Sequence, residues 1–494
     1  MATKGRFSRR GLIRSIACGA GALAATSILA ACAQPAPATP TSAPAPPKPA
    51  AAEPTKPVAE PTKPVAATPQ PTTAPAPTPA PAAKPAVSAK APVTIQVTGW
   101  YVAGEQLKQL YSTFEAKHPN TKIEHVSYAG IDHMQFLVPR TQSPQPPDCM
   151  NTCPANFLPM SYGGALENLD PYVKTDSKAL ELDQWEKWML EEYSSVAFPE
   201  LKPGTYGVPT KFWYWPFYFN RKMFQEAGLE LPKKGWTIEE FHELARKLTK
   251  PEKKQFGFAQ PARDMTQYSW MWRFGGEVIT PDKTKVLIDS EECIQAMEFI
   301  QKMMVEEKLM PRPDMMAAEA GGMNFDTGRV AMALDGSWKA GGSPFNEDWK
   351  KLDWMIGWPP KGKREAIMIE HGGLSMFKVS KHKDEAWEFI RFSAGPDGQA
   401  FAAEVVGDVV ANARVWKEKG FIKVRPDARE VAIQVRLDPA VRPVPLWFRP
   451  KYTSAYVAGQ EMAALWTGEA KARTLLPDLA RRVNEALAQP PTIG

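Results

Sequence analysis

The sequence predicts an α/β fold for the part of the chain that follows Pro92, and three observations carry that prediction. Val93-Thr94-Ile95-Gln96-Val97-Thr98 alternates apolar and polar side chains, as a half-buried strand does. Leu107, Leu110, Tyr111 and Phe114 then recur at helical spacing, and His118-Pro119-Asn120 closes that helix. The rhythm continues with a second strand, Ile123-Glu124-His125-Val126-Ser127-Tyr128, and a third, Cys149 to Thr152, introduced by Pro146-Pro147-Asp148. Strand, helix and strand with short connections imply a parallel sheet covered by helices, with ligands at the carboxyl ends of the strands. Trp100, Tyr101, the turn after Tyr128 and the stretch Asn151 to Cys153 fall at that rim.

Composition divides the 494 residues unevenly. Before Trp100 the only aromatic residue is Phe7, and Pro, Ala and Thr dominate from Gln34 to Pro92. A body of roughly 400 residues remains, enough for a large core or two lobes. The net charge of +6 divides the same way. Lys4, Arg6, Arg9, Arg10 and Arg14 stand in the first 31 residues without an acid, and five Lys face Glu53 and Glu60 between Cys32 and Pro92. The body is therefore slightly acidic, which argues against a nucleic-acid surface.

Residues 1–31 have a basic start and an apolar stretch from Ile16 to Ala31, too short to span a bilayer comfortably, and read as an export signal. Ser8-Arg9-Arg10-Gly11-Leu12-Ile13-Arg14 resembles a twin-arginine signal, with Leu12 where that signal has Phe; an Arg pair ahead of a general export signal is the alternative. Leu29-Ala30-Ala31-Cys32 resembles a bacterial lipobox, which implies that the Cys32 thiol carries lipid. Each buried methylene of such an anchor contributes about 0.8 kcal/mol. No later stretch offers the roughly 18 uncharged apolar residues of a membrane helix, so the expectation is a chain anchored to a membrane and not spanning it.

Residues 32–92 form the expected tether. Ala52-Glu53-Pro54-Thr55-Lys56-Pro57-Val58 repeats as Ala59-Glu60-Pro61-Thr62-Lys63-Pro64-Val65. Proline removes an N–H and disfavours helix in its predecessor, and without aromatics nothing forms a core. An extended spacer follows, with a docking site for a proline-binding partner as the second reading.

Cys18 and Cys32 belong to the leader, and Cys149, Cys153 and Cys293 to the body. Buried free thiols are favoured for Cys149 and Cys153; a short-loop disulfide and a metal site near His118, His125 and His133 are the alternatives. H-E-x-x-H, G-x-S-x-G and a phosphate-cradling Gly loop are missing. A glycosidase needs two carboxylates about 5 to 9 Å apart, and no such pair is recognisable. Neither a cofactor nor a metal is expected, and the reading is of a binding protein, not an enzyme.

Five segments, in order, resemble family 1 extracellular solute-binding proteins. They are Phe114 to Glu124; Gly204 to Thr210 with Phe217 to Phe224; Ala227 to Leu229 through Trp236 to Phe241; Phe325 to Met332 with Asp335 to Trp338; and Gly372-Gly373 through Lys378-Val379-Ser380 to Glu385–Phe392. Val410-Ala411-Asn412 departs from the family pattern by lacking a Pro. The resemblance implies a two-lobed periplasmic-binding-protein-like fold (type II) that bends at a hinge and holds its ligand between lobes. It implies crossings near Thr210 to Phe217, near His371 to Gly373 and after Arg414. The lobes would be 93–211 with 372–430, and 212–371 with 431–494. The implied partners are a small solute, the membrane subunits of an ABC importer and, through Cys32, the membrane; a monomer is expected.

A sugar offers apolar C–H faces and a rim of hydroxyls, so its receptor needs aromatic plates and convergent polar groups. Trp100, Tyr214, Trp272 and Trp338 are the stacking candidates by position in the family, and Trp213 and Trp215 flank the first crossing; for each, core packing is the competing reading. Asn151, Thr152, Thr210, His371, Asn412 and Arg414 are candidate hydroxyl readers. Gly372 and Gly373 would let backbone approach a ligand closely. A phosphodiester, polyamine or peptide in the same fold is the alternative ligand.

Overall fold

The computed structural model describes residues 91–99, 104–128, 133–261, 265–316, 324–340, 351–407, 409–420 and 426–491. The export signal, the tether, Cys32 and Trp100 lie outside them.

Among the described residues, ten strands build two sheets. They are β1 (Val93–Gly99), β2 (Thr121–Ser127), β3 (Cys149–Thr152), β4 (Val208–Tyr214), β5 (Phe217–Asn220), β6 (Phe256–Ala259), β7 (Val330–Leu334), β8 (Trp354–Gly357), β9 (Ile367–Met376) and β10 (Val441–Pro443). Alternation along β1 buries Ile95 and Val97 completely. The next helix, Glu105–Lys117, buries Tyr111 and Phe114, and the Phe114 ring meets Phe389 of helix Lys383–Ala394 edge-on at 5.4 Å. These strands and helices form where the sequence predicts them.

The first sheet is mixed, where the sequence suggested a parallel one. β1 pairs in parallel with β2 and β3, but β3 and β4 run antiparallel to β9. β9 organises this sheet. One edge of it pairs with β4 from Ile369 to Leu374; the other pairs with β3 at Gly373–Met376 and with β10 at Ile367–Ile369. The carboxyl ends of β3 and β10 thus approach Glu370–Gly372 from opposite directions. β10 comes from the stretch 431–494 expected in the second lobe, yet its partner is β9 of the first sheet.

The second sheet has the order β6-β7-β5-β8. Its core is aromatic: Phe217 stacks on Phe258 at 5.4 Å, and Phe241 lies edge-on to Phe258 at 4.8 Å. Phe241 is delivered by helix Ile238–Leu248, which a Thr237–Glu240 capping box starts. Trp270 of helix Thr266–Arg273 closes over Phe241 at 5.2 Å. The chain leaves the first sheet at Tyr214, enters the second at Phe217, and returns between Gly357 and Ile367. No described helix is long and apolar enough to cross a membrane.

Candidate functional site

Where β4 leaves the first sheet, alternate side chains go to opposite faces of the β4–β9 ribbon. Two adjacent glycines mark the faces. A Cβ on Gly372 would lie 2.6 Å from the Trp213 ring, whereas one on Gly373 would lie 2.8 Å from the Tyr193 hydroxyl.

The first face is aromatic. Trp338 sits in a 3-10 turn, Ser337–Lys339, just after β7. Its ring meets Trp213 at 6.0 Å and 89° and Trp215 at 5.3 Å and 90°, two edge-to-face contacts. The Ser337 hydroxyl accepts the Tyr214 N–H at 3.2 Å, and the Tyr218 hydroxyl donates to the Gly336 carbonyl at 3.0 Å. A Cβ on Gly336 would sit 2.2 Å from the Trp338 ring, so only glycine lets the indole fold back over the turn. Lys211 brings its ammonium 5.7 Å from the Trp213 ring centroid, and Glu370 is Trp213's partner in register. Trp213 and Trp338 are partly exposed, while Trp215 is buried and its indole N–H finds no acceptor among the described residues.

The second face is polar and buried. His371 is 1% exposed, and its Nε2 approaches Glu192 Oε2 at 2.8 Å without hydrogen-bond alignment. The Tyr193 ring packs on the imidazole at 4.5 Å, and the Tyr193 and Thr152 hydroxyls share a 2.6 Å hydrogen bond. Burial pushes the Tyr193 hydroxyl well above its ordinary pKa. Lys283 brings its ammonium 3.8 Å from Glu192 Oε1 and 4.1 Å from the Phe198 ring centroid. Burial lowers the Lys283 pKa against the opposing pull of Glu192.

The predicted residues therefore divide. Trp213, Trp215, Trp338 and Gly372 come together on the aromatic face, and Thr152, His371 and Gly373 on the polar one. Asn151 stays at the end of β3, its amide donating to the Thr98 carbonyl at 3.2 Å. Thr210 lies in the bulge of β4, buried, its carbonyl accepting from Gln399 and Ala411. Four other candidates are engaged elsewhere. Tyr214 is no stacking plate: it is fully buried, and its hydroxyl donates to the Ala432 carbonyl at 3.0 Å. Trp272 stands apart, under the Arg442 guanidinium at 4.8 Å. Asn412 caps helix Ala413–Lys419 and donates to Glu181, while Arg414 pairs with Glu181 at 2.9 Å.

Sequence reasoning missed Glu192, Tyr193, Lys211, Lys283, Ser337 and Glu370. Lys211 and Glu370 were within its reach, since each neighbours a residue already chosen. Glu192, Tyr193 and Lys283 carry no local signal, because folding alone brings them to β9. The described cysteines are free thiols, with Cys149 and Cys293 buried. Among the described residues no three His, Cys, Asp or Glu side chains are grouped to hold a metal ion. A concavity of about 490 Å³, lined by Glu230 to Trp236 and helix Ile238–Leu248, contains none of the crossing residues.

Comparison with known proteins bears on the whole body. Residues 98–400 match the family model described as bacterial extracellular solute-binding protein. An ABC substrate-binding protein of Listeria monocytogenes in complex with cycloalternan superposes with a TM-score of 0.71 at 19% identity, over 80% of this chain and 99% of that one. A solute-binding protein of Thermotoga lettingae bound with α-D-tagatose gives 0.66 at 20% identity, over 80% and 100%. UgpB of Mycobacterium tuberculosis in complex with glycerophosphocholine gives 0.67 at 17% identity, over 80% and 98%. The fold is that of the two-lobed periplasmic binding proteins, and with a family match over more than half its length the chain belongs to the bacterial extracellular solute-binding proteins.

Proposed function

We propose that this protein is the extracytoplasmic substrate-binding component of an ABC importer and captures a small carbohydrate between its lobes. The observation that carries the reading is the aromatic group Trp213–Trp338–Trp215 at the passage from one sheet to the other. Trp213 and Trp338 offer π-faces at right angles, the arrangement that stacks on the C–H face of one ring and borders its neighbour. Lys211 and Glu370 beside them balance in charge and suit hydroxyls of a neutral ligand. The lobes are proposed to change over at Trp215–Pro216 and between Gly357 and Ile367, with β4 and β9 as the hinge. Closure on a ligand that touches both lobes is a shift of an existing equilibrium. Lipid on Cys32 and the tether 32–92 would keep a monomeric body at the membrane beside the transporter.

One observation favours a second ligand class. The Lys211 ammonium beside Trp213 suits a phosphodiester, which would need that cation more than a sugar does. A thermal-shift screen of the full chain against sugars, oligosaccharides and glycerophosphodiesters separates the readings. A ligand that binds only the folded state raises the midpoint by mass action. We expect a shift with one sugar class that Trp338→Ala removes; a shift with glycerophosphodiesters alone, removed by Lys211→Met, overturns the sugar.

A further inference from the structure

The polar face of the ribbon extends into a set of ionic contacts between the lobes. The segment Glu192–Leu201 lies in the first lobe, held by Tyr206 N–H to the Tyr193 carbonyl and by the Tyr193–Thr152 hydroxyl pair. It carries two carboxylates, Glu192 and Glu200, with Phe198 between them. Each carboxylate meets a cation of the second lobe. Lys283 belongs to the turn bridged by Ile279 and Val286, and Val286 is fixed to Asn484 of helix Ala472–Leu487. Its φ of 60° places a non-glycine residue in the left-handed region, a conformation that persists where surrounding contacts over-determine it. Within the turn the Lys283 N–H donates to the Thr280 carbonyl at 2.9 Å, and Asp282 Oδ1 accepts the Thr284 N–H at 3.1 Å.

The second cation, Arg449, is 7% exposed and wholly engaged. Its guanidinium donates to the Ala486, Leu487 and Gln489 carbonyls at the end of helix Ala472–Leu487 and to its neighbour Phe448. That leaves a fork, which grips Glu200 through bonds of 3.0 and 2.9 Å. Beside it Tyr162 of the first lobe stacks on Phe448 of the second at 5.0 Å, and the Tyr162 hydroxyl donates to Glu200 at 3.3 Å. The helix end orients the arginine in advance, so little side-chain freedom is lost when the carboxylate arrives.

We propose that these contacts form a strap between the lobes: Lys283 and Arg449 grip Glu192 and Glu200 on the ribbon face opposite Trp213, and the strap sets the opening equilibrium of the aromatic site. The inference rests on the two-lobed capture reading and deepens it. Rotation about β4 and β9 changes lobe separation on both faces of the ribbon at once. A fork with 2.9 Å bonds does not survive a displacement of a few ångströms. Apparent ligand affinity then depends on residues that touch no ligand, because it scales with the fraction of molecules in the competent state.

Spin labels on bio-orthogonal residues at Lys122 of the first lobe and Lys247 of the second, both exposed, report the lobe separation in the full chain. Double electron–electron resonance without ligand is compared for the parent and for Glu192→Gln/Glu200→Gln, at about 0.1 M and about 1 M salt, where the screening length falls from about 10 Å to about 3 Å. The expected result is a population ratio changed on the order of tenfold in the double variant. High salt should move the parent in the same direction and leave the variant where it is. Coincident distance distributions for parent and variant at both salts overturn the strap. Thermal midpoints of both proteins confirm folding, and Lys283→Met supplies a second route if the double variant melts early. Since no ligand is added, a failed carbohydrate screen leaves this result standing, and a successful screen with unmoved lobes removes the strap alone.

Discussion

The two faces of the β4–β9 ribbon are built from the same two strands and solve different physical problems. The aromatic face packs Trp213, Trp338 and Trp215 edge to face and leaves two of them partly exposed. The polar face buries a histidine against a glutamate and pairs a tyrosine hydroxyl with that of Thr152. Aromatic edges tolerate small displacements, because dispersion contacts are many and individually weak. Buried polar groups do not, since a lost partner costs the desolvation of whatever is left behind. With the proposed bending at this ribbon, the protein would have an adaptable face for its ligand and a discriminating face for its own geometry.

Substitutions at matched positions break or sharpen that contrast. Gly373→Ala should have the largest effect. Its Cβ would lie 2.3 Å from the Val208 carbonyl, and backbone cannot yield as a side chain does. A loss of about 3 kcal/mol in denaturant-derived stability is expected. Thr152→Val comes next, at about 2 kcal/mol, by stranding the Tyr193 hydroxyl. Adding Tyr193→Phe should recover most of that loss, and a double-mutant cycle without recovery removes the hydroxyl pair as the cause.

On the aromatic face Gly372→Ala presses on the Trp213 ring and the Lys211 chain, both able to move. About 1 kcal/mol of stability is expected to go, with a larger change in ligand affinity than Gly373→Ala produces per unit of stability. If the two glycine variants cost the same, the contrast between the faces is wrong. Arg414→Ala, at the periphery, should leave the denaturant-derived stability nearly unchanged, because its pair with Glu181 is partly exposed.

Thiol chemistry tests the sheet beneath both faces. Burial pushes Cys149 well above the ordinary thiol pKa and Cys293 up to about 11. Both should resist alkylation near pH 8 in the native protein and react on unfolding, since the thiolate is the nucleophile. Fast labelling of Cys149 in the folded chain contradicts its place in the core.

The sequence by itself determined the α/β elements around β1 to β3, the aromatic supply near the first crossing and the family. Period-two and helical patterns are local and survive in one dimension, as β1 and helix Glu105–Lys117 demonstrate. It also placed Trp213, Trp215, Trp338 and Gly372 among the candidates that meet. Tertiary structure decided which side of the ribbon each residue takes. Tyr214 and Trp213 are neighbours in sequence, yet one strand step puts Tyr214 in the core and Trp213 on the aromatic face. Tertiary structure alone also brought Glu192 to Lys283 and Glu200 to Arg449, because charges about 90 and 250 residues apart leave no periodicity to read and acquire partners only on folding.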